Sequence, residues 1–168
     1  MGNEKKIRVG GIMSRTGLAT VSLLSLTARP DVIGTVFQAL GRRSMNIEFI
    51  VHGLDHEDTG NMTFCIDQKN LKEALDLLRE VKTPAQAKEI SYHPDVAMIS
   101  VFGPHFRERP MIAGLMFNAL GAAGIRVLAI STSISTCSCL VFADQTENAI
   151  RVLHDTFEAP HQISKFAP

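Results

Sequence analysis

Three short stretches of the chain gather side chains that could bind metal or attack a substrate. HGLDHED (residues 52–58) holds two histidines and three acids, CSC (residues 137–139) holds two thiols, and ISTSISTCS (residues 130–138) is rich in hydroxyls. Histidine, cysteine and carboxylate bind zinc, but a serine needs an activating histidine and acid, and none is placed near these serines. We therefore favour a solvated hairpin loop, small core residues and hydroxyls that satisfy the backbone. The sequence predicts no catalytic residue, no metal site and no cofactor.

Two segments of the chain have nearly the same sequence, and both are predicted to begin a helix. RPDVIGTVFQALG begins at Arg29, and RPMIAGLMFNALG begins at Arg109. With this spacing, residues 29–50 align without gaps on residues 109–130. Self-similarity at a fixed distance indicates duplicated structural units. Two copies are too few for a solenoid, so we predict two related units.

The two helix openings could also bind an anion. Backbone N–H groups of residues 31–34 and 111–114 have no partner within their helices and lie at the positive end of the helix dipole. A carboxylate fits such a place, and Gly34 and Gly114 would let a ligand or a neighbouring backbone approach closely. The alternative is that both openings are ordinary strand-to-helix turns. The residues alone leave both interpretations open.

Around these openings each copy is predicted to form a strand, a helix, two strands and a second helix. Valine- and isoleucine-rich runs indicate the strands, and apolar stripes at helical spacing indicate the helices. The predicted strands are 19–26, 46–53 and 61–67 in the first copy and 96–103, 126–133 and 136–142 in the second, and the predicted second helices are 71–81 and 147–157. Pro30 and Pro110 open the first helices. Asn70 and Thr146 are predicted N-caps, and Gly41 and Gly124 are predicted helix ends.

A closing strand would complete each copy as a ferredoxin-like βαββαβ unit. KEISYH (residues 88–93) can close the first, and IRVGGIM (residues 7–13) remains to close the second. The predicted fold is therefore α+β, with two ferredoxin-like βαββαβ units, the first inserted within the second. The first unit would span 15–93, the second 7–14 and 94–160, and tails 1–6 and 161–168 would lie outside both.

The amino-acid composition limits the classes of binding partner and the cellular compartment that we expect. The 17 basic and 17 acidic residues cancel, whereas nucleic-acid and anionic-membrane binders need a basic excess. The three cysteines are an odd number without a disulfide framework, which favours a reducing compartment. The apolar runs are too short to cross a bilayer, and MGNEKK is not a signal peptide. We predict a cytoplasmic protein that binds no nucleic acid and no membrane, and a homodimer that covers exposed sheet edges.

Four segments resemble the tandem ACT domains of the regulatory region of aspartate kinase. They are GGIMSRTGLATVSLLSL, RPDVIGTVFQALGRRSMNIEFIV, RERPMIAGLMFNALGAAGIRVLAISTS and AIRVLHDTF, and they span nearly the whole chain. The resemblance implies two ACT units, no kinase activity and allosteric regulation by a small amino-acid effector. It also implies a role in amino-acid biosynthesis.

The resemblance further implies an effector site formed by a loop of one unit and a strand of the other. The matching residues are Thr27, Ala28, Arg29, Pro30, Asp31, Val32, Ile33, Gly34, His52, Arg126 and Val127. Five positions depart from the family's pattern: Ala28, Asp31, His52, Arg126 and Ile134. An acid that would pair with the effector ammonium is thus lost or moved to Asp31. A buried ammonium without a partner is costly, so lysine and threonine are disfavoured as effectors.

Three functions follow from this resemblance. The first is a free-standing amino-acid sensor that acts on a partner. The second is an obligate regulatory subunit of a separately encoded aspartate kinase. The third is a structural dimerisation module whose effector site has decayed.

Overall fold

Two βαββαβ units make up the chain, one inserted within the other. The computed structural model describes residues 6–27, 30–85, 87–103, 106, 110–160 and 164–165. The inserted unit comprises residues 17–96, and the host unit comprises residues 1–16 and 97–168. Two strands, β2 (Gly11–Thr27) and β5 (Glu89–Phe102), contain the boundaries between the units.

In the inserted unit, four strands and two helices follow the predicted order. After β2 come α1 (Pro30–Arg42), β3 (Phe49–Leu54), β4 (Thr59–Asp67), α2 (Leu71–Ala85) and the first part of β5. The strand order in the sheet is β3, β4, β2, β5, which is the order of a ferredoxin-like unit. The apolar stripes of both helices pack on the sheet, because burial of these side chains is the main stabilising term. Val32, Val36, Leu40, Phe64, Ala74 and Leu78 are among the buried residues of this core.

The host unit repeats the arrangement with strands from both ends of the chain. The second part of β5 is followed by α3 (Met111–Ala122), β6 (Val127–Thr132), β7 (Thr136–Phe142) and α4 (Thr146–Thr156). The first residues of β2 supply the closing strand, and the order is β2, β5, β7, β6. A separate pair joins β1 (Ile7–Arg8) in parallel to β8 (Phe157–Glu158), and β9 (Ser164–Lys165) pairs with β2. The core includes Val9, Ile12, Ile112, Met116, Leu120, Leu153 and Phe157. The predicted fold class is confirmed.

The strand boundaries were predicted less well. Residues 7–13 and 19–26 were expected to form separate strands, as were 88–93 and 96–103. The structure instead has single long strands over Gly11–Thr27 and Glu89–Phe102. Gly17 and Pro94 are residue types typical of turns, yet each lies within a long strand, and Gly17 adopts a left-handed φ of 72° there.

The predicted helix ends are also partly wrong. Asn70 is the last residue of a 3₁₀ turn, and Thr146 is the first residue of α4, with its hydroxyl donating to the Ala143 carbonyl at 2.8 Å. Gly41 lies inside α1, and Ser44 takes the left-handed conformation with a φ of 56°. Gly124 does end its helix, with a φ of 69°. Because Ser44 aligns with Gly124 in the repeat, the two helices end in the same way with different residues.

No helix in the described part of the chain combines the length and apolar character needed to cross a membrane.

Candidate functional site

The end of strand β2 in the inserted unit carries a β-bulge just before the predicted effector loop. Leu23 pairs with Met62, but Leu26 pairs with Gly60, so the bulged strand has one extra residue. Ser25 takes a φ of 52°, and its N–H donates to the Asn61 side-chain oxygen at 3.1 Å. A bulge re-aims a strand, and such bulges concentrate next to functional sites. Asn61 thus holds the bulge near the end of β2.

His52 lies beside this bulge. It stands on the edge strand β3 opposite Met62. Its Nε2 atom lies 3.0 Å from the point where a Cβ of Gly60 would stand, and the Cβ of Leu26 lies 3.3 Å from the same point. The imidazole therefore rests over Gly60, next to the last residues of β2. The structure brings the predicted residue His52 to the strand end that leads into the predicted loop.

The predicted residues at the start of α1 differ in what they can offer a ligand. Pro30 is the first residue of the helix, Asp31 is exposed in its first turn, and Gly34 is exposed with no other atom within 4 Å of an added Cβ. Val32 is buried in the core and Ile33 is half-buried against it, so the side chain of Val32 is not available to a ligand. Only its backbone could take part.

Of the three predicted residues that precede α1 in the sequence, the structure describes only Thr27. Thr27 is the last residue of β2 and pairs with Thr59. Ala28 and Arg29 lie outside the described residues. The helix dipole and the first-turn N–H groups give this end of the 13-residue helix a positive character.

Arg126 and Val127 belong to the host unit, at the start of β6. Arg126 is exposed, and its backbone N–H donates to the Gln145 side-chain oxygen at 3.1 Å. The amide nitrogen of Gln145 donates to the Gly124 carbonyl at 3.4 Å, so Gln145 clamps the turn that precedes β6. Val127 is half-buried and packs against the host core. Their predicted role in effector binding stays a prediction.

A cavity of about 370 Å³ lies in the host unit at the start of α3. Apolar side chains and three hydroxyls surround it. Its described lining is Phe106, Pro110, Ile112, Ala113, Thr132, Ser133, Ile134, Thr136 and Cys137. Four of these residues lie 80 positions after predicted site residues: Pro110, Ile112, Ala113 and Thr132 match Pro30, Val32, Ile33 and His52. The host unit thus has an open cavity at the place where the inserted unit has its predicted effector contacts.

The reactive-looking stretches serve the fold. Cys137 and Cys139 are buried in the host core, and burial raises the pKa of both thiols, that of Cys139 to about 12 with a contribution from neighbouring Cys137. Both thiols therefore stay protonated at neutral pH, and a protonated thiol is a poor nucleophile and metal ligand.

In the hairpin loop (residues 52–58) and in the hydroxyl-rich stretch (residues 130–138), side chains accept hydrogen bonds from nearby backbone N–H groups. Asp55 accepts the N–H groups of Glu57 and Thr59 at 2.9 and 2.8 Å, which closes the hairpin loop between β3 and β4. The Ser133 hydroxyl accepts the Ser135 N–H at 3.3 Å in the turn after β6. Among the described residues, no three His, Cys, Asp or Glu side chains are grouped to hold a metal ion.

Sequence reasoning missed the residues that support the site. Gly60 lies between the predicted hairpin loop (residues 52–58) and the predicted strand 61–67, and Ser25, Asn61 and Gln145 carry no motif. A glycine inside a strand often marks a close approach by another group, but the structure was needed to place Gly60 inside β4.

Known proteins share this architecture. Residues 99–157, which fall within the host unit, match the ACT domain family. The inserted unit has the same strand order as the host unit that carries this match.

The similarity extends over most of the chain. The regulatory subunit of aspartate kinase from Thermus flavus is 28% identical with a TM-score of 0.82, over 90% of this chain and 99% of that one. A structure of aspartokinase alpha and beta subunits matches at 25% identity with a TM-score of 0.81, over 88% of this chain and 97% of that one. The aspartokinase of Thermus thermophilus is 28% identical over 89% of this chain but only 37% of its own length. The particular resemblance is therefore to the regulatory, non-catalytic region of aspartate kinase, and the chain spans little more than a third of this curated relative.

Proposed function

We propose that this chain is an amino-acid-responsive regulatory subunit that acts on a separately encoded aspartate kinase. The observation that carries the proposal is the nearly end-to-end correspondence with solved regulatory subunits of that enzyme. The match to a structure with alpha and beta subunits supports a partner chain. A free-standing sensor that acts on another partner is the second candidate.

In this proposal the start of α1 holds the effector. First-turn N–H groups donate hydrogen bonds to the effector carboxylate, because they have no partner within the helix and lie at its positive end. The exposed carboxylate of Asp31 pairs with the effector ammonium, and the imidazole of His52 contacts its side chain. The effector favours one of two arrangements of the protein, and a partner that prefers the same arrangement is regulated.

A screen of the twenty amino acids tests effector binding. We expect at least one amino acid to raise the melting temperature, since a ligand at 100 times its Kd adds about 2.7 kcal/mol to the stability of the state that binds it. Isothermal titration then gives the Kd. Asp31→Asn should weaken binding about tenfold or more. Glu147→Gln, which changes the matching first-turn acid of α4, should leave the Kd unchanged.

The outcomes separate the candidates. A change in the rate of an aspartate kinase on addition of chain and effector together supports the regulatory subunit. Binding without any effect on the kinase supports the free-standing sensor. If none of the twenty amino acids binds, the regulatory subunit and the free-standing sensor are both excluded, and the dimerisation module remains.

We further propose that the protein is a homodimer in which an edge strand is covered. Strand β3 ends the sheet of the inserted unit and exposes Ile50, Val51 and Leu54. Exposed apolar edge strands invite pairing with another chain, and dimers most often have two-fold symmetry. We expect sedimentation equilibrium to give twice the chain mass, and Val51→Lys to shift the protein toward monomer. Gln38→Lys, which adds the same charge on α1, should not, and equal effects of both changes would contradict the proposal.

A further inference from the structure

Gly60 is the one glycine of the inserted unit with a side chain packed where its own Cβ would stand, among the described residues. Gly60 is buried on β4, paired with Leu26 on one side and Leu54 on the other. An added Cβ would meet the His52 Nε2 at 3.0 Å, the Leu26 Cβ at 3.3 Å and the Leu26 carbonyl oxygen at 3.5 Å. Gly34, Gly41 and Gly53 have nothing within 4 Å of the same point. Gly60 therefore provides space for the imidazole.

The residues around this space limit the conformations of the His52 side chain. His52 stands on an edge strand and is exposed, so its rotamers would be limited mainly by its neighbours. Directly opposite residues of an antiparallel pair share a face, and Met62, opposite His52, packs in the core with α1 and α2. The imidazole thus lies on the helix side of the sheet, next to Leu26 and one residue from Thr27.

The next residue of β4 acts on the same strand end. Asn61 accepts the Ser25 N–H at 3.1 Å and holds the bulge that precedes the predicted effector loop. Two consecutive residues of β4 therefore fix, by different means, the histidine and the strand end that lie beside that loop.

We infer that Gly60 is a specificity-determining residue of the effector site, because a methyl group here would crowd His52 and Leu26 and shift the imidazole away from the end of β2, where it meets the effector. The inference rests on the proposed function, in which the effector binds at the start of α1. Gly60 touches no effector itself and acts through the position of His52.

Effector affinity tests the inference through a double-mutant cycle. Gly60→Ala should raise the Kd of the amino acid found in the screen about tenfold, and His52→Ala should do the same. In the His52→Ala background, Gly60→Ala should change the Kd less than twofold, because the residue it displaces is gone. Gly53→Ala, an added methyl with open space on the neighbouring strand, is the matched control and should leave the Kd unchanged. Additive losses in the double variant would overturn the inference.

A second measurement needs no effector. In the wild type, proton NMR should show contacts from the His52 ring to Gly60 and to Leu26, and Gly60→Ala should weaken the contact to Leu26. If the wild type binds an amino acid and Gly60→Ala binds it equally well, the inference fails and the proposed function stands. If no amino acid binds, the proposed function fails and the role of Gly60 in specificity fails with it. Absence of the ring contacts in a wild type that binds an effector would overturn the inference alone.

Discussion

Removal of residues 1–14 should unfold the host unit well below the melting temperature of the intact chain. These residues contribute β1, the first part of β2 and two core side chains, Val9 and Ile12, which are 5% and 1% exposed. Burial of each aliphatic side chain contributes about 1.5–3 kcal/mol, so the loss is about 3–6 kcal/mol before any hydrogen bond is counted. A whole domain is stable by only about 5–15 kcal/mol. Differential scanning calorimetry should show a transition at least about 10 °C lower.

The stability lost on removal of residues 1–14 should be confined to the host unit. The buried residues of the inserted-unit core all lie between Val21 and Ala87. Circular dichroism of the truncated chain should therefore retain part of its helical signal above the first transition. A single transition at the wild-type temperature would contradict the assignment of the amino-terminal strand to the host unit.

A point substitution gives a milder form of this test. Ile12→Ala should cost about 2–5 kcal/mol, because a buried isoleucine leaves a cavity. Ile134→Ala is the matched control, since Ile134 is 75% exposed and should change stability by less than about 0.5 kcal/mol. Equal melting temperatures for the two variants would show that the strand is not held in the core.

The repeat in the sequence predicted the fold well because its signal is long-range and redundant. Both copies place valine, isoleucine and leucine at the spacing of their elements, and burial enforces that spacing. Single-residue signals for turns and helix ends were less reliable. Gly17 and Pro94 resemble turn residues, but both lie within long strands. The residue with the left-handed conformation after α1 is Ser44, whereas the predicted helix end was Gly41.

The candidate site was harder to predict than the fold, for a physical reason. His52 was named through the family resemblance, but its orientation depends on Gly60, eight residues further along and on the neighbouring strand. Likewise the bulge near the end of β2 is held by a hydrogen bond between Ser25 and Asn61. Such contacts join residues across strands, and a sequence without its register does not show which residues will meet.

Gly103 should be among the least replaceable glycines of the host unit. An added Cβ would lie 2.9 Å from the Gly10 backbone nitrogen and 3.1 Å from the Phe106 ring. Neither side can yield easily, because the Gly103 N–H donates to the Ser135 carbonyl at 2.9 Å and the Gly10 N–H donates to the Phe102 carbonyl at 2.7 Å. Gly103→Ala must therefore separate backbone segments, and overpacking of this kind costs about 1–3 kcal/mol.

The matched control for Gly103→Ala has the opposite expected sign. Gly114 lies in α3, exposed, with no atom within 4 Å of an added Cβ, so Gly114→Ala should raise stability by about 0.5–1 kcal/mol. Thermal melts of both variants measure the difference. Phe106 also lines the host-unit cavity, so Gly103→Ala should in addition lower the affinity of any ligand bound there. Gly114→Ala should leave that affinity unchanged. If both alanines stabilise the protein, the close approach of Gly103 to Gly10 does not exist in solution, and the cavity wall is not fixed by it.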